Sequence, residues 1–292
     1  MHIIGHKKIV NFLEKSIEKG VASGAYLFCG AKHLGKFTLA YEFAKKLTGQ
    51  GNGSISPDIV IIRPETEEKK GIIKERDIKI EQVRELQKEL SRTPHFGKMK
   101  VAIIDDADRL TTSAQNALLK TLEESNENIV IILVCHNQEK ILATIKSRCM
   151  VRNFNTVNLE EIARALPEKS MTKEVAFWSL GYPGLALDIA NHPEKQEALK
   201  ESKKNLEKMA SCSLVERFSL AEELSKDQRK LTEELKTWII LLRQNIITGG
   251  EFLGMNLGKT LEIIERTIES LSLIRETNSN TRLVLENLFL KF

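Results

Sequence analysis

Three groups of residues in this chain could do chemistry. Gly30-Ala31-Lys32-His33-Leu34-Gly35-Lys36 has the spacing Gly-x-x-x-x-Gly-Lys. In such a loop, backbone N–H groups close around phosphate oxygens at a helix N-terminus, and the lysine supplies a compact positive charge. Asp105-Asp106-Ala107-Asp108 follows the hydrophobic run Val101-Ala102-Ile103-Ile104. Carboxylates at the end of a buried parallel strand lie where open α/β sheets hold ligands. Ser147-Arg148-Cys149 presents an arginine at the end of a short helical turn. A phosphate cradle, carboxylates and an arginine are the tools of nucleotide chemistry.

The cradle has a defect at its next position. The residue after the lysine should be Ser or Thr, whose hydroxyl joins the Mg²⁺ shell, and here it is Phe37. Thr38 stands one step further along a helix, rotated by about 100°, and is a poor substitute. Asp105 is intact as the carboxylate that would hold a metal. Asp106 is a second defect if it occupies the place of the glutamate that orients the attacking water in related ATPases, because its side chain is shorter by one methylene. A misplacement of about an ångström can lower a rate by roughly a hundredfold. These residues predict a nucleotide site that has lost its chemistry.

The elements that must position these groups alternate in type. Ala25-Tyr26-Leu27-Phe28-Cys29 reads as a strand that runs into the loop, with a helix expected over residues 38–47. Ile59-Val60-Ile61-Ile62 and residues 129–134 read as further buried strands, and a helix is expected over 80–90. The charged stretch 65–76 reads as a solvated face, and Thr93-Pro94-His95-Phe96-Gly97 as a turn feeding the Val101 strand. Thr112-Ser113-Ala114-Gln115 reads as a capping box. It opens a helix whose apolar stripe is Ala114, Ala117, Leu118 and Leu122, up to Glu123-Glu124. Ahead of the first strand, Ile9, Phe12, Leu13 and Ile17 mark an amphipathic helix, with His6 read as packing rather than as a ligand. Strands alternating with helices predict a parallel, doubly wound sheet.

After Asn155 the pattern is wholly helical. Residues 159–166, 172–180 and 184–190 read as three short helices, with Asn191-His192-Pro193 as the break behind them. Amphipathic segments recur at 206–209, 214–224, 231–247, 257–274 and 281–292, with breaks near Gly249-Gly250 and Glu276-Thr277-Asn278. Trp238 reads as core. At 292 residues, 41% hydrophobic and 29% charged, the chain has the make-up of a multidomain globular protein. A net charge of +4 permits contact with nucleic acid without demanding it. Cys29, Cys135, Cys149 and Cys212 are scattered, with no Cys-x-x-Cys pair, so neither structural zinc nor a disulfide framework is expected. With no signal-peptide pattern and no apolar run of membrane-spanning length, a cytoplasmic location is expected.

The order of these features resembles the AAA+ subunits of DNA polymerase clamp loaders, and among them the bacterial delta-prime subunits of DNA polymerase III. The residues that carry the resemblance are Ala25-Tyr26-Leu27-Phe28 before the P-loop, Ile103-Ile104-Asp105-Asp106-Ala107-Asp108, the helix Asn116-Ala117-Leu118-Leu119-Lys120-Thr121-Leu122-Glu123-Glu124, and Ser147-Arg148-Cys149. The first half of the chain matches in motifs and the second half in architecture only. Many relatives carry a zinc-binding cysteine cluster after the first P-loop helix. Here that place is the cysteine-free loop 49–57, so no metal is expected there.

The resemblance implies three domains: an α/β P-loop module over 1–155, a small helical lid over 156–193 and an all-α collar over 194–292 that holds a ring together. It implies a rigid subunit of a DNA-directed DNA polymerase holoenzyme that does not hydrolyse ATP by itself. Arg148 would then act in trans as an arginine finger on ATP bound in the adjacent motor subunit. The competing reading of Arg148 is a pair with a carboxylate of its own domain. Nucleotide-binding residues at the degenerate loop would be Gly30, Gly35, Lys36, Phe37 and Thr38, with Asp105 and Asp106 opposite. No cofactor is required, and ATP with Mg²⁺ is the one cofactor the degenerate site would admit. The implied partners are gamma/tau and delta subunits, the sliding clamp, and primed DNA through the complex, with no membrane. In Gly181-Tyr182-Pro183-Gly184-Leu185-Ala186-Leu187, which resembles a motor subunit's lid segment, the nucleotide-sensing arginine is missing. An ATP-hydrolysing motor subunit of the gamma or tau kind is the alternative, and a P-loop ATPase outside replication a third. Phe37, Asp106 and the arginine-free lid segment count against the motor.

Overall fold

The computed structural model describes residues 3–49, 56–69, 72–95, 99–123, 128–167, 172–250, 253–276 and 279–292. Expectations for Glu124, for positions 50–55 of the cysteine-free loop, for Phe96 and Gly97 of the turn, and for the break at Thr277 and Asn278 fall outside them. The chain divides into two compact units, Met1–Ile162 with Tyr182–Gly184, and Ala163–Gly181 with Leu185–Phe292.

The first unit is built on five parallel strands. They are β1 (Gly24–Cys29), β2 (Ile59–Ile62), β5 (Lys100–Ile104), β6 (Ile129–Cys135) and β7 (Cys149–Asn153), in the order β2-β5-β6-β1-β7. The apolar runs are continuous because both faces are covered, as parallel sheets require. On one face Leu27, Ala102, Ile104, Ile131 and Leu133 pack against α3 (Ile80–Leu90) and α4 (Thr112–Glu123) through Val83, Leu86, Ala114 and Leu118. On the other, Tyr26, Phe28, Val101, Ile103 and Ile132 pack against α1 (Lys7–Glu18) and α2 (Lys36–Leu47) through Leu13, Leu39, Ala40 and Phe43. Alternate residues of each strand thus serve opposite layers, which is the doubly wound arrangement the sequence predicts.

The charged stretch 65–76 is exposed at Glu65, Thr66 and Arg76, as expected, and it also pairs β3 (Thr66–Lys69) with β4 (Ile72–Glu75) in an antiparallel hairpin, across which Arg76 meets Glu67 at 2.7 Å. Three local expectations are corrected. The cap of α4 is Thr111 rather than Thr112: its hydroxyl accepts the Ala114 N–H at 3.3 Å. Gln115, assigned to a capping box, is instead buried and bonds outward to another segment. The helix after the loop starts at Lys36, two residues early, because Gly35 at φ +81° turns the chain directly into it.

The second unit is helical, with α7 (Thr172–Trp178), α9 (Pro193–Ser211), α10 (Leu214–Leu224), α11 (Gln228–Ile247), α12 (Leu257–Glu276) and α13 (Thr281–Phe289) inside it. Two further helices, α6 (Leu159–Ala165) and α8 (Pro183–Asn191), carry the chain across the unit boundaries. Pro193 opens α9, and His192 before it is extended, as the residue preceding a proline tends to be. That helix is far longer than the segment 206–209 read from the sequence, because its first half is charged and solvated. Trp238 is fully buried with its ring 5.7 Å from Phe289 and 5.7 Å from Phe292. Asn245 pins the turn from α11 into α12 by donating to Met255 O and Thr260 Oγ1 and accepting from Leu253 N. All four cysteines are thiols, and no helix among the described residues is long and apolar enough to cross a membrane.

Candidate functional site

The carboxyl ends of β1, β5, β6 and β2 converge, and each contributes to one cluster. After β1 comes the loop Gly30–Lys36. Gly30 takes φ +145°, and a Cβ there would stand 2.4 Å from the Phe154 carbonyl oxygen, so only glycine fits. Gly30→Ala is expected to destabilise the first unit by about 1–3 kcal/mol from the backbone conformation alone. The carbonyl clash adds to this, and a lowered midpoint in urea unfolding would register it. The flanks of the loop are fixed as well. His6 Nε2 lies 3.1 Å from Leu34 O and its ring packs on Phe154, so His6 serves as packing, and burial lowers its pKa. Gly184 N donates to His33 O at 2.7 Å.

Lys36 is 3% exposed and turned onto its own loop. Its ammonium donates to Gly30 O and Ala31 O, both at 2.6 Å, and stands 3.0 Å from His136 Nδ1. Burial pushes its pKa down to about 8, against the opposing pull of Asp105, Asp106 and Asp108. On its other side the His136 ring meets Asp106 Oδ1, and the His136 backbone N–H donates to Asp108 Oδ1 at 2.8 Å. Lys36, His136 and Asp106 therefore form one continuous polar chain across the ends of α2, β6 and β5. Asp106 holds a left-handed backbone, φ +51°, which turns its carboxylate toward that chain.

Asp105 has a different partner. Arg63, the first residue after β2, brings its Nε to 3.4 Å from Asp105 Oδ2 and lays its guanidinium over the Phe37 ring at 4.2 Å. Phe37 in turn stacks on Tyr41, while Thr38 is exposed and turned to solvent. Burial and the neighbouring Asp106 raise the Asp105 pKa, and Arg63 opposes them. A Mg²⁺ ion needs several oxygen ligands at short range. Here a phenyl ring replaces the hydroxyl and a guanidinium faces the metal carboxylate, so the residues present do not fit the ion. Sequence reasoning passed over Arg63 and His136. Both directly follow a buried strand at its carboxyl end, and that position was the available signal.

Arg148 lies elsewhere. It follows the short helix α5 (Ala143–Lys146) and immediately precedes β7, whose first residue, Cys149, pairs with Ala25 near the start of β1. The P-loop follows Cys29, which pairs with Asn153 at the other end. Four residues of strand, about 13 Å, separate the two ends. Arg148 and the P-loop of the same chain thus lie at opposite ends of the strands. The helix α5 is set by α4: Gln115 donates to Lys140 O at 2.9 Å and accepts Leu142 N at 2.9 Å, clamping the turn that starts α5. Arg148 Nη2 donates to Glu123 Oε1 at 2.6 Å. A carboxylate of its own domain is therefore its partner here, the contact named in the competing reading.

A parallel sheet in the order 2-5-6-1-7, a P-loop at the carboxyl end of β1 and acidic residues at the end of β5 define an AAA+ type P-loop module. The family model described as DNA polymerase III, delta subunit, matches residues 5–158, and the chain belongs to that family. Over 165 residues it is 32% identical to DNA polymerase III subunit delta' of Pseudomonas aeruginosa, covering 50% of this chain and 48% of that protein. Over 168 residues it is 35% identical to DNA polymerase III subunit gamma of Buchnera aphidicola subsp. Schizaphis graminum, covering 55% of this chain and 46% of that one. The chain thus spans about half the length of these curated relatives. In fold it is similar to a crystal structure of a DNA polymerase III, gamma subunit-related protein from Thermotoga maritima, with a TM-score of 0.55 at 19% identity, covering 95% of this chain and 97% of that one.

Proposed function

We propose that this chain works as a delta-prime-type subunit of a clamp loader, a ring member that does not hydrolyse ATP and that lends Arg148 to nucleotide bound by its neighbour. The observation that carries the proposal is the separation of the two ends of β1. An arginine at the end of the strands opposite its own P-loop has no phosphate of its own to serve, and its side chain lies at the surface, 37% exposed. A cation aimed at a transferring phosphoryl group stabilises the charge that develops there. The internal partners of Lys36, Asp105 and Asp106 support the other half of the reading, because each group that would act on ATP is already engaged.

In this reading the chain needs no cofactor. Gly30, Gly35, Lys36, Phe37 and Thr38 with Asp105 and Asp106 are the remnant of a nucleotide site. Residues 156–193 are read as a lid and 194–292 as a collar. The partners are gamma/tau and delta subunits, the sliding clamp and, through the complex, primed DNA, in the cytoplasm. The similarity to a gamma subunit favours a second reading, a motor that hydrolyses its own ATP. Steady-state ATP hydrolysis by the purified chain, with and without primed DNA and beside Lys36→Ala, separates the two. The expected result is no turnover above the Lys36→Ala control. Turnover abolished by that substitution would mean that the Lys36–His136 and Arg63–Asp105 contacts open, and the motor reading would replace this one.

A further inference from the structure

Helix α4 starts near the carboxyl ends of the strands and carries Glu123 beside Arg148. Besides a long contact of Nη1 to the Ser147 hydroxyl at 3.5 Å, the Arg148 guanidinium has a backbone partner and a carboxylate partner there. Nη1 donates to the carbonyl oxygen of Thr144 at 3.0 Å, a contact to the backbone of α5, and Nη2 donates to the Glu123 carboxylate at 2.6 Å. The first contact supports the stem of the arginine and asks nothing of its charge. The second sets a full negative charge against the part of the guanidinium that would meet a phosphoryl oxygen. Both side chains are largely in solvent, Glu123 at 55% and Arg148 at 37% exposure, and exposed pairs of this kind are weak. Weakness suits a contact that has to be broken. An incoming phosphate competes for the same N–H donors and repels the carboxylate beside them.

We propose that Glu123 is a positioning residue that parks Arg148 on its own chain, and that the arginine reaches a neighbour's nucleotide only by leaving that carboxylate. The inference rests on the reading of Arg148 as a trans-acting finger. It adds a resting state to that finger, held by a residue of the helix whose Gln115 also clamps the start of α5. The contribution of Glu123 is to keep hydrolysis low until the interface between subunits closes.

The test is ATP turnover of the reconstituted complex with and without primed DNA, carrying wild-type chain, Glu123→Gln, Glu123→Asp, Arg148→Ala or the Glu123→Gln/Arg148→Ala double variant. Removing the carboxylate charge is expected to raise DNA-independent turnover roughly two- to fivefold. The DNA-stimulated rate stays at its wild-type value, so the stimulation ratio falls. Glu123→Asp, which keeps the charge, stays nearer to wild type, and the double variant behaves as Arg148→Ala. A role in folding alone would not change the stimulation ratio. If Arg148→Ala lowers turnover while Glu123→Gln leaves the DNA-independent rate at or below wild type, the parking role is overturned and the finger reading stands. If Arg148→Ala leaves turnover unchanged, the finger reading fails and the parking role falls with it.

Discussion

In the proposed delta-prime role, Arg148→Ala is expected to lower ATP turnover at the neighbouring subunit's site by roughly 10³-fold or more, with the fold and the assembly of the complex intact. The size follows from what an arginine finger does. It meets charge that grows on the transferring phosphoryl group in a water-poor interface, where a fixed cation acts far more strongly than in solvent. The side chain contributes little to stability in this chain, because its pair with Glu123 is exposed, and an exposed pair is worth about 0–1 kcal/mol. Loss of rate without loss of fold is therefore the signature. Arg148→Lys should recover little of the rate, since an ammonium lacks the planar fork that spans two oxygens. Single-turnover hydrolysis by the reconstituted complex, beside size-exclusion chromatography to check assembly, measures both halves. Unchanged turnover in an intact complex would end the assignment.

Trp238→Ala is expected to cost the second unit about 3–5 kcal/mol, enough to unfold many domains. The indole is fully buried against Phe289 and Phe292, and its Nε1 donates to Glu234 Oε1 at 3.1 Å. Truncation would empty the largest side-chain volume in that core and leave the Glu234 carboxylate without that donor. It would also separate α11 from the last helical turn of the chain, which Phe289 and Phe292 close. Trp238→Phe should lose much less, because the ring contacts remain and only the N–H and part of the volume go. Urea unfolding followed by far-ultraviolet circular dichroism tests the pair. A midpoint for Trp238→Ala equal to that of wild type would place the indole outside the core.

The parts of this structure that were legible in the sequence were those whose signal is local. Three strands buried on both faces, β1, β5 and β6, read as unbroken apolar runs, as did β2 at the edge of the sheet, where Ile61 is exposed, and Gly-x-x-x-x-Gly-Lys between a strand and a helix fixed the place of the loop. The fifth strand did not read, because β7 lies at the edge of the sheet, half-covered, and its sequence Cys-Met-Val-Arg-Asn carries no apolar run. The hairpin of β3 and β4 was hidden by charge, since cross-strand pairing such as Glu67 with Arg76 leaves no periodic trace. Phe37 and Asp106 announced that the nucleotide site departs from the motif. What stands in for the missing chemistry, Arg63 on Asp105 and His136 between Lys36 and Asp106, depends on residues brought together from different strands. No spacing rule reaches across 100 residues from Lys36 to His136.

The pairing of β1 with β7 gives the module a direction. In the proposed role, modules of this kind would receive phosphate at the carboxyl ends of their strands and present an arginine at the amino ends, so two that serve each other must meet head to tail, by unlike surfaces. A head-to-tail series has two ends unless it closes, and its members at the ends are not equivalent. A module whose receiving side is satisfied from within, as Arg63 and His136 satisfy this one, has no use for a donor behind it. In the proposed delta-prime role, this chain would therefore stand at the terminus of such a series, where an arginine is given and none is taken.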